Sequence, residues 1–177
     1  MTFIVDVDGT LKGGRIYAFL TRRAWVRLAD IFFFSRFFLK LTSWVRPDRK
    51  IKQFLLVFQN LIGEESKFII VSGCLQGNEK LLQDWLVRNE FSHNDIILRR
   101  KNETLVYFKS RVVLDVLSRE SEIIMIDDNL LLLRDIAERV GKCLAKQGED
   151  FDIKLIKLFP NHRWHQLHIR KEERVLV

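Results

Sequence analysis

The chain has 177 residues, 47% of them hydrophobic and 30% charged, with two prolines, two cysteines and a formal net charge of +7. That balance excludes a mainly disordered protein and fits one domain with a small insert, long enough to bury a real core. Cys74 and Cys143 lie far apart without metal-ligand spacing, so neither a disulfide framework nor a zinc site is indicated, and a reduced, cytoplasmic setting follows.

The first element is a short apolar run, Phe3-Ile4-Val5, that ends in Asp6-Val7-Asp8-Gly9-Thr10. On an extended chain, residues i and i+2 point the same way, so Asp6 and Asp8 would face one pocket. Two carboxylates that close repel each other unless a cation lies between them, and a Mg²⁺ held by carboxylates is the usual resolution. Because these acids come so early, a cleaved leader would destroy the site, and none is predicted.

Residues 12–65 read as a helical insert. Lys12-Gly13-Gly14 is a flexible exit from the acidic turn, and the stretch from Ile16 to Val45 has no Gly or Pro. Its apolar residues, among them Phe19, Trp25, Phe32, Phe38 and Val45, recur at spacings near three and four. A second helix is predicted from about Asp48 to Leu61, ended by Gly63. The basic excess sits here: residues 12–52 hold eleven Lys or Arg against Asp30 and Asp48, a balance of +9. Residues 1–11 contribute −2, and the remainder carries nineteen charges of each sign.

From residue 66 onward short apolar runs alternate with helical patterns. Phe68 to Val71 reads as a strand ending in Ser72-Gly73, followed by a helix over Glu79 to Arg88 with Leu81, Leu82, Trp85 and Leu86 on one face. Ile96-Ile97-Leu98 and Leu105-Val106-Tyr107 read as short strands, and a helix begins at about Lys109. Ile123 to Ile126 is a strand running into Asp127-Asp128-Asn129, and the next helix extends through Leu130, Leu133, Ile136 and Val140. Ile153 to Phe159 reads as the last strand, with a loop and tail beyond it. This alternation predicts an α/β fold: a Rossmann-like parallel sheet with helices on both faces, plus the small helical insert. In such sheets ligands bind beyond the carboxyl ends of the strands, where Asp6, Asp8, Ser72, Asp127 and Asp128 all fall.

Four segments in order, Asp6 to Thr10, Ser72-Gly73, Lys109 and Asp127-Asp128, resemble the four motifs of the haloacid dehalogenase (HAD) superfamily of phosphohydrolases. The resemblance covers residues 3 to about 130 and makes the insert a small cap of the kind found between the first and second motifs. It implies a Mg²⁺-dependent phosphomonoester hydrolase in which Asp6 attacks phosphorus and Asp8 serves as general acid and base. Ser72, Gly73 and Lys109 would bind the phosphate, and Asp6, Asp8, Asp127 and Asp128 the metal. Arg99, Arg100 and Lys101 compete for the role of Lys109. Asn129 can cap the following helix; in the alternative, Asp128 only caps that helix and leaves Asp127 as the direct or water-mediated ligand, and the sequence does not separate the two. Asp135 reads as a surface acid.

The insert supports three readings: a cap whose cations attract a phosphorylated small molecule, a peripheral membrane contact, or a nucleic-acid contact through residues 12–52. It contains no uninterrupted apolar run of the ~18 residues a membrane span needs. His162, His165 and His168 have no acidic or cysteine partner and read as surface histidines. The alternatives to a small-molecule phosphatase are a non-catalytic binding module of the same fold, docking through the insert, and a phosphatase acting on nucleic-acid ends. Oligomeric state has no sequence signature here.

Overall fold

The computed structural model describes residues 1–8, 10, 11, 46, 47, 52, 53, 55–57, 60, 66–120, 122–147, 152–158 and 164–170. Most of the insert, and so its reading as a cap, lies outside the described residues. Residues 52, 53, 55–57 and 60 are helical, in agreement with the second helix expected there.

Among the described residues six strands form one sheet, β1 (Thr2–Asp6), β2 (Lys67–Leu75), β3 (Asp95–Arg99), β4 (Glu122–Asp127), β5 (Asp152–Leu158) and β6 (Trp164–Arg170). Their spatial order is β3-β2-β1-β4-β5-β6. The first five run parallel, and β6 pairs antiparallel with β5 at the edge. Beyond the helical residues between β1 and β2, the helices described are α1 (Glu79–Arg88), α2 (Leu105–Leu117) and α3 (Leu130–Gln147).

β1 and β4 are central strands buried on both faces, which is why their sequences run apolar without alternation. Phe3, Val5, Ile124 and Ile126 pack on one face with Leu82, Trp85 and Leu86 of α1 and with Leu55. Ile4, Ile123 and Met125 pack on the other with Phe108, Val112, Val113 and Val116 of α2 and Leu133, Ile136 and Val140 of α3. Helices therefore cover both faces, as the alternation predicts. The two-residue period of the strands places Asp6 and Asp127 on the same face as Ile4 and Met125, the face α2 covers.

Four sequence expectations change. Leu105-Val106-Tyr107 is the first turn of α2, not a strand: Thr104 adopts an extended backbone and its Oγ1 accepts from Tyr107 N at 3.3 Å, an N-cap that outweighs the β propensity of Val and Tyr. β2 continues past Ser72 to Leu75. The segment after β5 is not all loop and tail, because residues 164–170, including His165 and His168, form β6. β5 itself begins and ends one residue earlier than the run Ile153 to Phe159.

Candidate active site

Asp6 is the last residue of β1, and Asp127 the last of the adjacent β4, so two carboxylates arrive side by side at the carboxyl edge of the sheet. Lys109, in the second turn of α2, lies between them. Its Nζ donates to Asp6 Oδ1 at 2.6 Å and to Asp127 Oδ2, with the three side chains only 3%, 4% and 1% exposed. Burying three charges is costly unless they satisfy one another, and this arrangement does so for the ammonium. Burial alone would lower the Lys109 pKa, but Asp127 and Asp6 together hold it above the ordinary lysine range. Burial pushes the Asp6 carboxyl well above the carboxylate range; Lys109 opposes this, while the charges of Asp127, Asp128 and Asp8 add to it.

After β4 the chain turns at Asp128 into α3. Asn129 N donates to Asp127 Oδ1 at 2.8 Å, and Asn129 Oδ1 accepts from Leu132 N at 3.1 Å. Asn129 thus caps α3, and neither aspartate is needed for that role. Both Asp127 oxygens are engaged, one by Lys109 and one by the Asn129 backbone. Asp128 is raised to about 7 by burial first and by the Asp127 charge next, with Lys109 opposing.

Carboxylate oxygens of Asp6, Asp127 and Asp128 all lie within 4.8 Å of one another. Three acids gather around one lysine, an excess of negative charge that a divalent cation would offset. An all-oxygen donor set suits Mg²⁺ in preference to softer metals. The residues present therefore fit the implied ion. Asp8 stands apart from this group: its Oδ2 accepts from Ser72 Oγ at 2.8 Å and from the Cys74 thiol at 3.5 Å.

β2 presents Ser72 and Gly73 where its register against β3 shifts between Ser72 and Leu75. At this irregularity the Gly73 carbonyl accepts from Arg99 Nε at 3.1 Å, while Arg99 NH1 donates to the Glu103 carbonyl. Arg99 thus anchors the β2 and β3 ends, and Arg100 and Lys101 are exposed. Among the lysine and its competitors, Lys109 is the cation joined to the aspartates. Asp135 is exposed on α3, as expected. The sequence assigns Cys74 no part in the site. Its position two residues after Ser72 on the same strand is the signal that it too reaches toward Asp8.

No protein-family model and no curated protein matches the chain. Among solved structures it is similar to the HAD domain of effector protein Lem4 from Legionella pneumophila, at 15% identity and a TM-score of 0.50, covering 92% of this chain and 88% of that one. An inactive mutant of the same domain aligns equally well, at 14% identity, a TM-score of 0.50, and 92% and 87% coverage. The chain has a HAD-like fold: a Rossmann-like sheet with an acidic cluster at its carboxyl edge. Among the described residues no helix is long and apolar enough to cross a membrane.

Proposed function

We propose that this protein is a Mg²⁺-dependent phosphomonoester hydrolase that works through a phosphorylated Asp6. The observation that carries this reading is the convergence of Asp6, Asp127 and Asp128 from two strand ends onto one point, with Lys109 buried among them. A purely structural ion pair needs one lysine and one acid; the surplus carboxylates argue for a cation and an anionic substrate.

Asp6 attacks phosphorus, the bond from phosphorus to the leaving oxygen breaks, and Asp8 gives that oxygen its proton. Water then attacks the phosphorus of phospho-Asp6, Asp8 takes the proton from that water, and inorganic phosphate leaves with Asp6 restored. Lys109 keeps Asp6 oriented and offers positive charge against the negative charge that develops on the phosphoryl oxygens. Asp6, Asp127 and Asp128 would hold Mg²⁺, which when bound supplies further charge neutralisation at the phosphoryl group. Asp128 is the better direct ligand, since each Asp127 oxygen already accepts one hydrogen bond, from Lys109 or from Asn129 N, and so has less lone-pair capacity left for a cation. A phosphorylated small molecule is the substrate class, with the basic insert attracting it.

The test is hydrolysis of p-nitrophenyl phosphate with Mg²⁺ by wild type and by Asp6→Asn. Turnover by the wild type, reduced by about 10³-fold or more in the variant, is expected. Equal background rates overturn the reading and favour a binding module of the same fold.

A further inference from the structure

Arg99, Arg100 and Lys101 follow one another at the end of β3, and Glu103 is the only acid between them and Lys109. Arg99 belongs to the scaffold: its Nε donates to the Gly73 carbonyl at 3.1 Å, its Nη1 to the Glu103 carbonyl at 3.2 Å, and its own carbonyl accepts from Gln76 N at 3.0 Å. Glu103 is spent there as well. Its Oε1 accepts from Arg111 Nε at 2.8 Å and its Oε2 from Arg100 N at 3.0 Å, with the side chain only 8% exposed. Arg100 to Glu103 form a turn, closed by Glu103 N donating to the Arg100 carbonyl at 3.1 Å, with Lys101 and Asn102 at its tip. Arg100 and Lys101 are exposed, and among the described residues no hydrogen bond or ion pair holds either side chain. A firmly tied backbone thus displays two cations that the scaffold does not use.

The sheet register fixes where these cations stand. Asp6 pairs with Val71 and Val71 with Ile97, so Ile97 is level with Asp6 and Arg100 lies three residues beyond it. β3 is two places from β1 in the sheet. With strands about 4.8 Å apart and a rise of about 3.3 Å per residue, the turn stands about 14 Å from Asp6, beyond the same carboxyl edge. A long cationic side chain and a short substrate span such a gap together. Arg111 ties the turn, through Glu103, to the helix that carries Lys109, so the spacing is built into the fold.

We propose that Arg100 and Lys101 bind a second phosphate group of the substrate, so that the enzyme prefers a small bisphosphorylated ester to a monophosphorylated one. The inference rests on the hydrolase reading and deepens it by naming the substrate class. Arginine offers a planar fork to phosphate oxygens and lysine a mobile point charge, a pairing suited to a dianion. Because the turn is held before substrate arrives, little ordering is lost on binding. The second phosphate stays away from the reacting bond, so its contacts are alike in the ground and transition states and act on KM.

The experiment measures phosphate release from 1,6-hexanediol bisphosphate and from hexyl phosphate, which share the reacting ester, in wild type, Arg100→Ala, Arg100→Lys and Lys101→Ala. Hydrolysis of p-nitrophenyl phosphate serves as the activity control. Wild type is expected to favour the bisphosphate by about thirtyfold in kcat/KM, mostly through KM, and each alanine variant to cut that preference by about fivefold. Arg100→Lys should keep more of the preference than Arg100→Ala. Should one alanine variant not fold, as read by circular dichroism, the other decides alone. A wild type active on p-nitrophenyl phosphate whose preference for the bisphosphate is below about threefold overturns the proposal and leaves the hydrolase reading intact. A preference that neither alanine variant reduces overturns it too, and assigns the preference to the basic insert. A wild type inactive on all three substrates overturns both readings.

Discussion

Lys109 Nζ and Asp6 Oδ1 lie 2.6 Å apart across 103 residues of sequence, joining the second turn of α2 to the end of the central strand β1. The contact is sealed on the face of the sheet where Ile4, Phe108 and Val112 pack. Because Lys109 also bonds Asp127, it holds two neighbouring carboxylates at once. Replacing it should therefore be felt in stability as well as in activity.

Lys109→Met keeps the volume of the buried stem but leaves Asp6 and Asp127 without their cation. Breaking a buried ion pair on one side costs about 3–5 kcal/mol, and that loss is expected in urea unfolding without metal. Turnover should fall about 10²–10³-fold, the range for loss of one group that stabilises transition-state charge. Added Mg²⁺ should recover part of the lost stability, because a cation offsets the same two charges.

Asp127 and Asp128 should separate by the kind of loss each causes. Mg²⁺ that binds only the folded protein raises its stability by about 2.7 kcal/mol at a hundred times Kd. In thermal unfolding at pH 8 with and without Mg²⁺, Asp128→Asn should abolish most of that increment and raise the metal-free stability, because it removes a carboxylate whose ionised form burial and the Asp127 charge oppose. Asp127→Asn should lower metal-free stability by about 2–4 kcal/mol, since it breaks a buried ion pair with Lys109. Chelation of the metal should abolish turnover of the wild type.

Most of this site is legible in the sequence because a central parallel strand buries both faces. Phe3 to Asp6 and Ile123 to Asp127 are apolar runs with a carboxylate at one end, a combination that a solvated surface does not favour. Other parts carry a weaker pattern. Trp164 to Arg170 has only Leu167 and Ile169 as aliphatic residues, and Pro160-Asn161 before it suggests a loop, so β6 emerges only through its pairing with β5. Leu105 to Tyr107 has a strand-like composition that the cap at Thr104 overrides. The contact of Cys74 with Asp8 joins residues 66 positions apart, and composition cannot show that an apolar-looking thiol faces an acid.

Glu103 gives the fold a pH signature away from the acidic cluster. Arg111 Nε donates to Glu103 Oε1 at 2.8 Å, and Arg100 N donates to Oε2 at 3.0 Å. Burial alone would raise the Glu103 pKa, but these donors and the charges of Arg111 and Arg100 lower it below the ordinary glutamate value of 4.5. A folded-state pKa below the unfolded one means stability that is present above the unfolded value and lost as pH falls through the folded value. Glu103→Gln should cost about 0.5–1 kcal/mol at pH 7. The gap between wild type and variant should close below pH 4.5, as measured by urea unfolding across that range.

Asn129 caps α3 through its side chain but holds Asp127 through its backbone, and substitution can separate the two. Asn129→Ala removes the acceptor for Leu132 N while keeping the backbone N–H that donates to Asp127 Oδ1. Loss of an N-cap acceptor costs about 1 kcal/mol, and Asn129→Ser, which restores a capping oxygen, should recover most of it. Turnover by Asn129→Ala should remain within about threefold of wild type, since Lys109 and the backbone still fix both Asp127 oxygens. A larger fall in kcat, with the stability loss confined to about 1 kcal/mol, would show that the cap itself sets the position of Asp128.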